Sequence, residues 1–116
     1  KATTDASGDT IETVYDVVWA GDRIPDENGK LAAIGNTVDL ETGHYTNSIG
    51  AKELIAYWQD PDFKPSQRAF YYARVLEIPT ARHALKDAIA LTMTAPTVGP
   101  ATIQERAYSS PIWYTP

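Results

Sequence analysis

Histidines and carboxylates are the side chains in this 116-residue chain most able to bind a metal or move a proton, and their spacing limits both chemistries. His44 and His83 each lack a second His or carboxylate at ligand spacing. His44 follows the turn signal Glu41-Thr42-Gly43 and is expected to be a solvated loop residue. His83 stands four residues before Asp87, a pairing that more often supports a helix than holds a metal. The acidic stretch Asp22 to Gly29 fails as a calcium loop. Counting back from Gly29 puts Ile24, which has no oxygen ligand, at the first position. Asp60-Pro61-Asp62 offers two carboxylates to a cation, but Asp before Pro is commonly a turn, and a solvated turn is expected. Ser109-Ser110-Pro111 has hydroxyls without an evident base. There is no Gly-x-Ser-x-Gly elbow, phosphate-cradling glycine loop or dinucleotide fingerprint. With no Cys, zinc ribbons, disulfides and thiol nucleophiles fall away together. No catalytic residue, metal site or cofactor is expected within this chain.

Charges that interrupt apolar runs are more informative. Arg74 lies among Phe70, Tyr72, Leu76 and Ile78, and Glu77 alternates with Tyr71, Ala73 and Val75. Asp16 sits in the same way between Val14 and Val18. A charge held among apolar side chains must be paired, or must face a ligand or another domain, because desolvating it alone costs several kcal/mol. For Asp16 a structural salt bridge or a half-exposed strand edge is the preferred reading. For Arg74 and Glu77 the structural and ligand-facing readings stand level. Arg82, Glu105 and Arg106 also flank apolar strands, giving five candidate substrate-binding residues: Arg74, Glu77, Arg82, Glu105 and Arg106. A guanidinium fork suits phosphate and carboxylate oxygens, and the glutamates would orient the arginines.

The elements that must position these residues read as short strands between frequent turns. Turn signals occur at Asp5-Ala6-Ser7-Gly8-Asp9, Pro25-Asp26-Glu27-Asn28-Gly29, Glu41-Thr42-Gly43, Asp60-Pro61-Asp62 and Pro96-Thr97-Val98-Gly99-Pro100. Runs rich in β-branched and aromatic residues lie between them, predicting a mainly β chain: an antiparallel β-sandwich, immunoglobulin-like in outline, with long loops. Strands are expected over Ile11 to Ala20, Thr37 to Leu40, Tyr45 to Thr46, Leu54 to Gln59, Ala69 to Ile78 and Ile112 to Thr115. Ala81 to Leu91 departs from this pattern. Ala84, Leu85, Ala88 and Ile89 recur at helical spacing there, predicting one short helix, with an ordered loop as the alternative.

A chain of this length fits one domain over residues 1–116, with enough surface to bury one core. The hydrophobic fraction of 43%, with three Trp and seven Tyr, argues for a folded chain rather than a disordered tail. Positive charges are scattered and the net charge is -5, which disfavours nucleic acid and anionic membrane surfaces as partners. No apolar run is long enough for a spanning helix. The chain begins at Lys1 rather than Met, so a trimmed or processed piece of a longer protein is expected.

Several segments closely resemble one family. They are Gly35-Asn36-Thr37-Val38-Asp39, Tyr45-Thr46-Asn47 with Ile49-Gly50-Ala51, Asp60-Pro61-Asp62-Phe63, the run from Arg68 to Thr80, and the ending from Gln104 to Pro116. In order and along nearly the whole chain, they are similar to the extreme carboxy end of the domain-of-unknown-function family 3604. Ala81, and His83-Ala84-Leu85-Lys86 after it, depart from the family pattern. The resemblance implies a longer, exported bacterial protein, periplasmic or extracellular, whose upstream part looks like a PHP-type metallohydrolase holding divalent metal ions. None of that metal motif occurs here. Two functions follow as expectations. In the first, the chain packs on the upstream catalytic region and walls a cleft for a small anionic substrate such as a phosphate ester. In the second, it is a glycan- or protein-binding module, with Tyr57, Trp58, Tyr71, Tyr72, Trp113 and Tyr114 as a stacking platform.

Overall fold

The computed structural model describes residues 1–96 and 98–116; Thr97, within the expected turn at 96–100, lies outside the described residues. Among the described residues the chain is mainly β, with two antiparallel sheets and one short helix, as the patterning predicts. In chain order the elements are β1 (Ala2–Thr4), β2 (Thr10–Glu12), β3 (Ala69–Tyr71), β4 (Arg74–Ala81), α1 (His83–Ala90), β5 (Thr102–Tyr108) and β6 (Ile112–Tyr114). One sheet has the order β2-β1-β3-β6, and the other pairs β4 with β5.

The expected strand Ala69 to Ile78 is two strands in two sheets, broken at Tyr72-Ala73. Ser109 explains the break: its Oγ accepts the Ala73 N–H at 2.9 Å, and its own N–H donates to the Ala73 carbonyl at 2.9 Å. Of the expected strand Ile11 to Ala20, only the start is in a ladder. The expected strands at Thr37 to Leu40, Tyr45 to Thr46 and Leu54 to Gln59 lie outside any ladder. Asx turns satisfy the backbone there instead. Asn36 accepts the Val38 N–H, Asp39 those of Glu41 and Thr42, and Asp60 that of Asp62, each through a side-chain oxygen.

The chain divides into two compact units. The first comprises Lys1–Val18, Ile55–Val75 and Ala107–Pro116 and contains the four-stranded sheet. Register fixes its two faces. Glu12 pairs with Ala2, Ala2 with Phe70, and Phe70 with Trp113, so these four side chains share one face. Ile11, Thr3, Ala69 and Tyr114 form the neighbouring row on the opposite face. Residues 58–66 cover that opposite face. Phe63 packs edge-on to Tyr114 at 4.9 Å, and the Tyr114 hydroxyl donates to the Pro65 carbonyl at 2.8 Å.

The second unit comprises Trp19–Leu54 and Leu76–Arg106 and contains α1. The helix lies inside the span predicted from its spacing. Leu85 and Ala88, two of the four periodic apolar residues, are its buried positions. It ends in a Schellman motif. Met93 N–H donates to the Ala88 carbonyl at 2.8 Å, and Thr92 N–H to the Ile89 carbonyl at 3.0 Å. Thr92 occupies the left-handed position at φ 57°, where a β-branched residue is strained. Gly50 turns at φ +85° directly against Ile78.

Both units have thin cores. Among the described residues the buried apolar side chains are Ala2 and Ala69 in the first unit and Ala20, Leu85 and Ala88 in the second. Bulkier apolar residues, Ile55 and Tyr57 among them, are exposed.

Candidate functional site

The five predicted substrate-binding residues do not converge into one site. Arg74 and Glu77 lie on β4, Glu105 and Arg106 on β5, and all four are exposed. Strand alternation sets Arg74 with Leu76 and Ile78, and Glu77 with Val75. Leu76 and Val75 are themselves half exposed, so neither charge is enclosed by the apolar surface the sequence suggested. Asp16 is exposed as well. Arg82 is the half-buried member. It precedes α1 with extended backbone and makes no side-chain cap, and its guanidinium lies under the Gly99 turn. Among the described residues none of the five is within 4.0 Å of an opposite charge. His44 lies with Thr42, Gly43, Tyr45 and Lys86 around a shallow, open depression in the second unit. Among the described residues no three His, Asp or Glu side chains gather as a metal site would need.

The charged constellation that does form was not predicted as a site, and it lies in the first unit. Lys1 Nζ meets Asp60 Oδ2 at 2.7 Å, with side-chain exposures of 8% and 6%, making a nearly buried ion pair. Lys1 Nζ also donates to the Asp62 carbonyl at 2.7 Å. The Tyr71 hydroxyl donates to Asp60 Oδ2 at 2.7 Å, and the Tyr15 hydroxyl to Asp62 Oδ2 at 2.8 Å. Trp58 lies between the two tyrosines, 5.1 Å from Tyr15 and 6.4 Å from Tyr71. Strand register and one local turn together produce this arrangement. Lys1 and Tyr71 flank the covered sheet face, and the Asp60 Asx turn aims the Asp60 carboxylate at them and the Asp62 carboxylate at Tyr15.

Electrostatics define what this cluster can do. Desolvation pushes the Asp60 carboxyl up, but hydrogen bonds from Lys1, Tyr71 and the Asp62 N–H, with the Lys1 charge, together hold it below its ordinary value. Desolvation, then the bond to Asp62, pushes the Tyr15 hydroxyl up to about 12. Desolvation, then the bond to Asp60, does the same to Tyr71, also to about 12. Asp60 therefore stays ionised and the tyrosines stay protonated across the neutral range. Both Asp60 oxygens already accept protein donors, so the carboxylate has little capacity left for a cation or a substrate. This is a tie joining the amino-terminal strand, the 58–62 turn and β3, and it positions the sheet rather than reacting.

The opposite face of the same sheet is open and aromatic. Trp113, Phe70, Tyr72 and Tyr108 form a continuous band with successive ring centroids 5.0, 6.2 and 5.9 Å apart. Trp113 is 72% exposed and Tyr108 56%. The Tyr72 hydroxyl donates to Glu12 Oε1 at 2.6 Å, and that bond is the main cause of its raised pKa. Of the six aromatic residues named as a stacking platform, the structure puts only Tyr72 and Trp113 in this band. Trp58, Tyr71 and Tyr114 face the covered side. Phe70 and Tyr108 complete the band without having been expected in it, though the i, i+2 spacing of Phe70 and Tyr72 signals half of it.

The family model described as "Protein of unknown function (DUF3604)" matches residues 1–116. No curated protein and no solved structure matches the chain.

Proposed function

Because the chain belongs to the DUF3604 family of proteins of unknown function, we propose that it is an accessory β-rich region completed by another part of a longer protein. Its unburied surface carries this reading. Among the described residues the buried apolar side chains are four alanines and one leucine, while aliphatic side chains of the irregular segments in both units are left open: Val14 is 64% exposed, Ile55 80% and Ile24 83%. Surface of this kind marks an interaction site.

In this reading the partner is an upstream PHP-like metal-dependent hydrolase region of an exported bacterial protein, and it holds the divalent metal ions. Arg74 in the first unit and Arg106 in the second are each exposed, and each by itself is a candidate contact for a small anionic substrate of that region. Glu77 and Glu105, on the same two strands, modulate that charge, and the half-buried Arg82 offers a third guanidinium.

Comparing residues 1–116 alone with the same residues in the full-length protein tests the proposal. Alone, the chain is expected to unfold over a broad range and to bind an apolar dye. In the longer protein, the amides of Ala2–Thr4 and Ala69–Tyr71 are expected to gain protection. A sharp unfolding transition for the isolated chain, with equal protection in both forms, would refute it. For the cleft-wall role, Arg74→Ala and Arg82→Ala are expected to reduce phosphoesterase turnover of the full-length protein with the fold retained. Unchanged turnover in both would rule that role out.

A further inference from the structure

We infer that the residues directly preceding Lys1 in the longer protein continue β1 as an inner strand, laid between residues 14–18 and Tyr72 of the first unit. This rests on the accessory reading proposed above and names the segment that completes the sheet. The first observation is how firmly Lys1 is held. Chain ends usually fray. Here the α-ammonium of Lys1 donates to the Thr13 carbonyl at 3.0 Å, as a peptide N–H would in a continued chain. Thr13 N–H donates back to the Lys1 carbonyl at 2.8 Å, and the Lys1 side chain is nearly buried in its pair with Asp60. The pairing of β1 with β2 thus runs one residue past Ala2–Glu12, to Lys1–Thr13.

The second observation is what lies ahead of that pair. Residues 13–19 run on without a turn or bend, and Val14-Tyr15-Asp16-Val17-Val18 has strand composition. Tyr15 keeps the phase of the sheet. Like Tyr71, it sets its ring against Trp58 and its hydroxyl on the Asp60–Asp62 turn. Among the described residues, no hydrogen bond uses a backbone N–H or carbonyl of residues 14–18 or of Tyr72.

Register determines which of these groups face the added strand. In an antiparallel pair, residues that exchange both hydrogen bonds alternate with residues that exchange none. Lys1 and Thr13 are an exchanging pair, so Tyr15 and Val17 present their N–H and carbonyl groups on that same side. Val14, Asp16 and Val18 present theirs outward. At constant register the second residue before Lys1 meets Tyr15, and the fourth meets Val17. Across the sheet, Ala2 pairs with Phe70, which sets the residue directly before Lys1 opposite Tyr72. Ala73 agrees with this phase, because its N–H and carbonyl point the other way and both are taken by Ser109. Unpaired donors and acceptors on both sides of one line fit an extended main chain, and the strand that enters that line is β1. The join to the upstream part is then a central strand of the sheet, not a flexible linker.

The test is residue-resolved amide exchange on the full-length protein, read by mass spectrometry with electron-transfer fragmentation. The amides of Tyr15, Val17 and Tyr72 are expected to exchange roughly a hundredfold or more slower than those of Val14 and Asp16, after correction for intrinsic rates. Equal exchange at Asp16 and Val17 overturns the inference at either speed. Fast exchange at both means that no strand arrives, and slow exchange at both means cover without a ladder. The accessory reading fails separately. Protection gained at Ala2–Thr4 and Ala69–Tyr71, with Tyr15, Val17 and Tyr72 still fast, keeps that reading and sinks this one.

Discussion

Replacing Asp60 with Asn keeps the size of the side chain and removes its charge, leaving Lys1 with a nearly buried ammonium and no counter-ion. Removing one member of a buried pair costs about 3–5 kcal/mol. Lys1 keeps its bond to the Asp62 carbonyl, and its residual exposure allows some hydration, so the lower end applies. Tyr71 exchanges a charged acceptor for a neutral one, which weakens one hydrogen bond by about 1 kcal/mol. That weakening is already part of the cost of removing the charge, so the predicted loss in local stability stays at about 3 kcal/mol. Native-state hydrogen exchange reads this directly: a loss of that size lowers protection of the Ala2–Thr4 and Ala69–Tyr71 amides by roughly a hundredfold. Asp22→Asn, at an exposed aspartate, is the control and should change nothing. In a double-mutant cycle with Lys1→Met, the two losses should fall short of additive by at least about 1 kcal/mol. Protection unchanged in Asp60→Asn, or strictly additive losses in the cycle, would show that the pair is a surface contact of no consequence.

The same cluster sets a pH window. The folded Asp60 carboxyl is held below its unfolded value, so its contribution is present above about pH 4 and is lost as acid protonates it. Tyr15 and Tyr71 are raised to about 12, so their contribution is intact below about pH 10 and disappears as pH rises through 12. Amide protection of the sheet, corrected for intrinsic exchange, should therefore plateau between these limits, and Tyr71→Phe should flatten the alkaline side. Gly50→Ala should destabilise the second unit by roughly 2–3 kcal/mol in urea unfolding, because the new Cβ lies 2.6 Å from Ile78 Cγ2 at a φ of +85°. Thr92→Gly should stabilise α1 by about 1 kcal/mol, since it relieves the left-handed threonine within an otherwise complete Schellman motif. A lower unfolding midpoint for Thr92→Gly would contradict that assignment.

The sequence disclosed what depends on local spacing. Leu85 and Ala88 lie inward as their periodicity predicts, and the aromatic alternation from Ala69 onward does form strands. It did not disclose β1, whose Ala-Thr-Thr is too short and too polar to show alternation. Nor did it disclose β5, whose Gln-Glu-Arg stretch is exposed and carries no apolar period. The runs at 13–20 and 54–59 have strand-like composition, but a ladder needs a partner, and composition does not name one. The Lys1–Asp60 pair spans the whole first half of the chain. Asp60 and Asp62 are ordinary turn residues by local criteria, and only the register of β1 against β3 brings Lys1 to them.

That register also constrains how the chain acquires its structure. The four-stranded sheet interleaves residues 2–4, 10–12, 69–71 and 112–114, so its pairings are among the most non-local the sequence permits. Such contact order slows folding toward the millisecond-to-second range. Synthesis delivers β6 last, so until then β3 presents a bare hydrogen-bonding edge beside Phe70. A ribosome paused before Ile112, or a protease cutting after Tyr108, leaves that edge unpaired, and an unpaired edge is a template for aggregation. Ile112–Tyr114 thus covers the exposed edge of β3, and loss of that strand should appear first as insolubility.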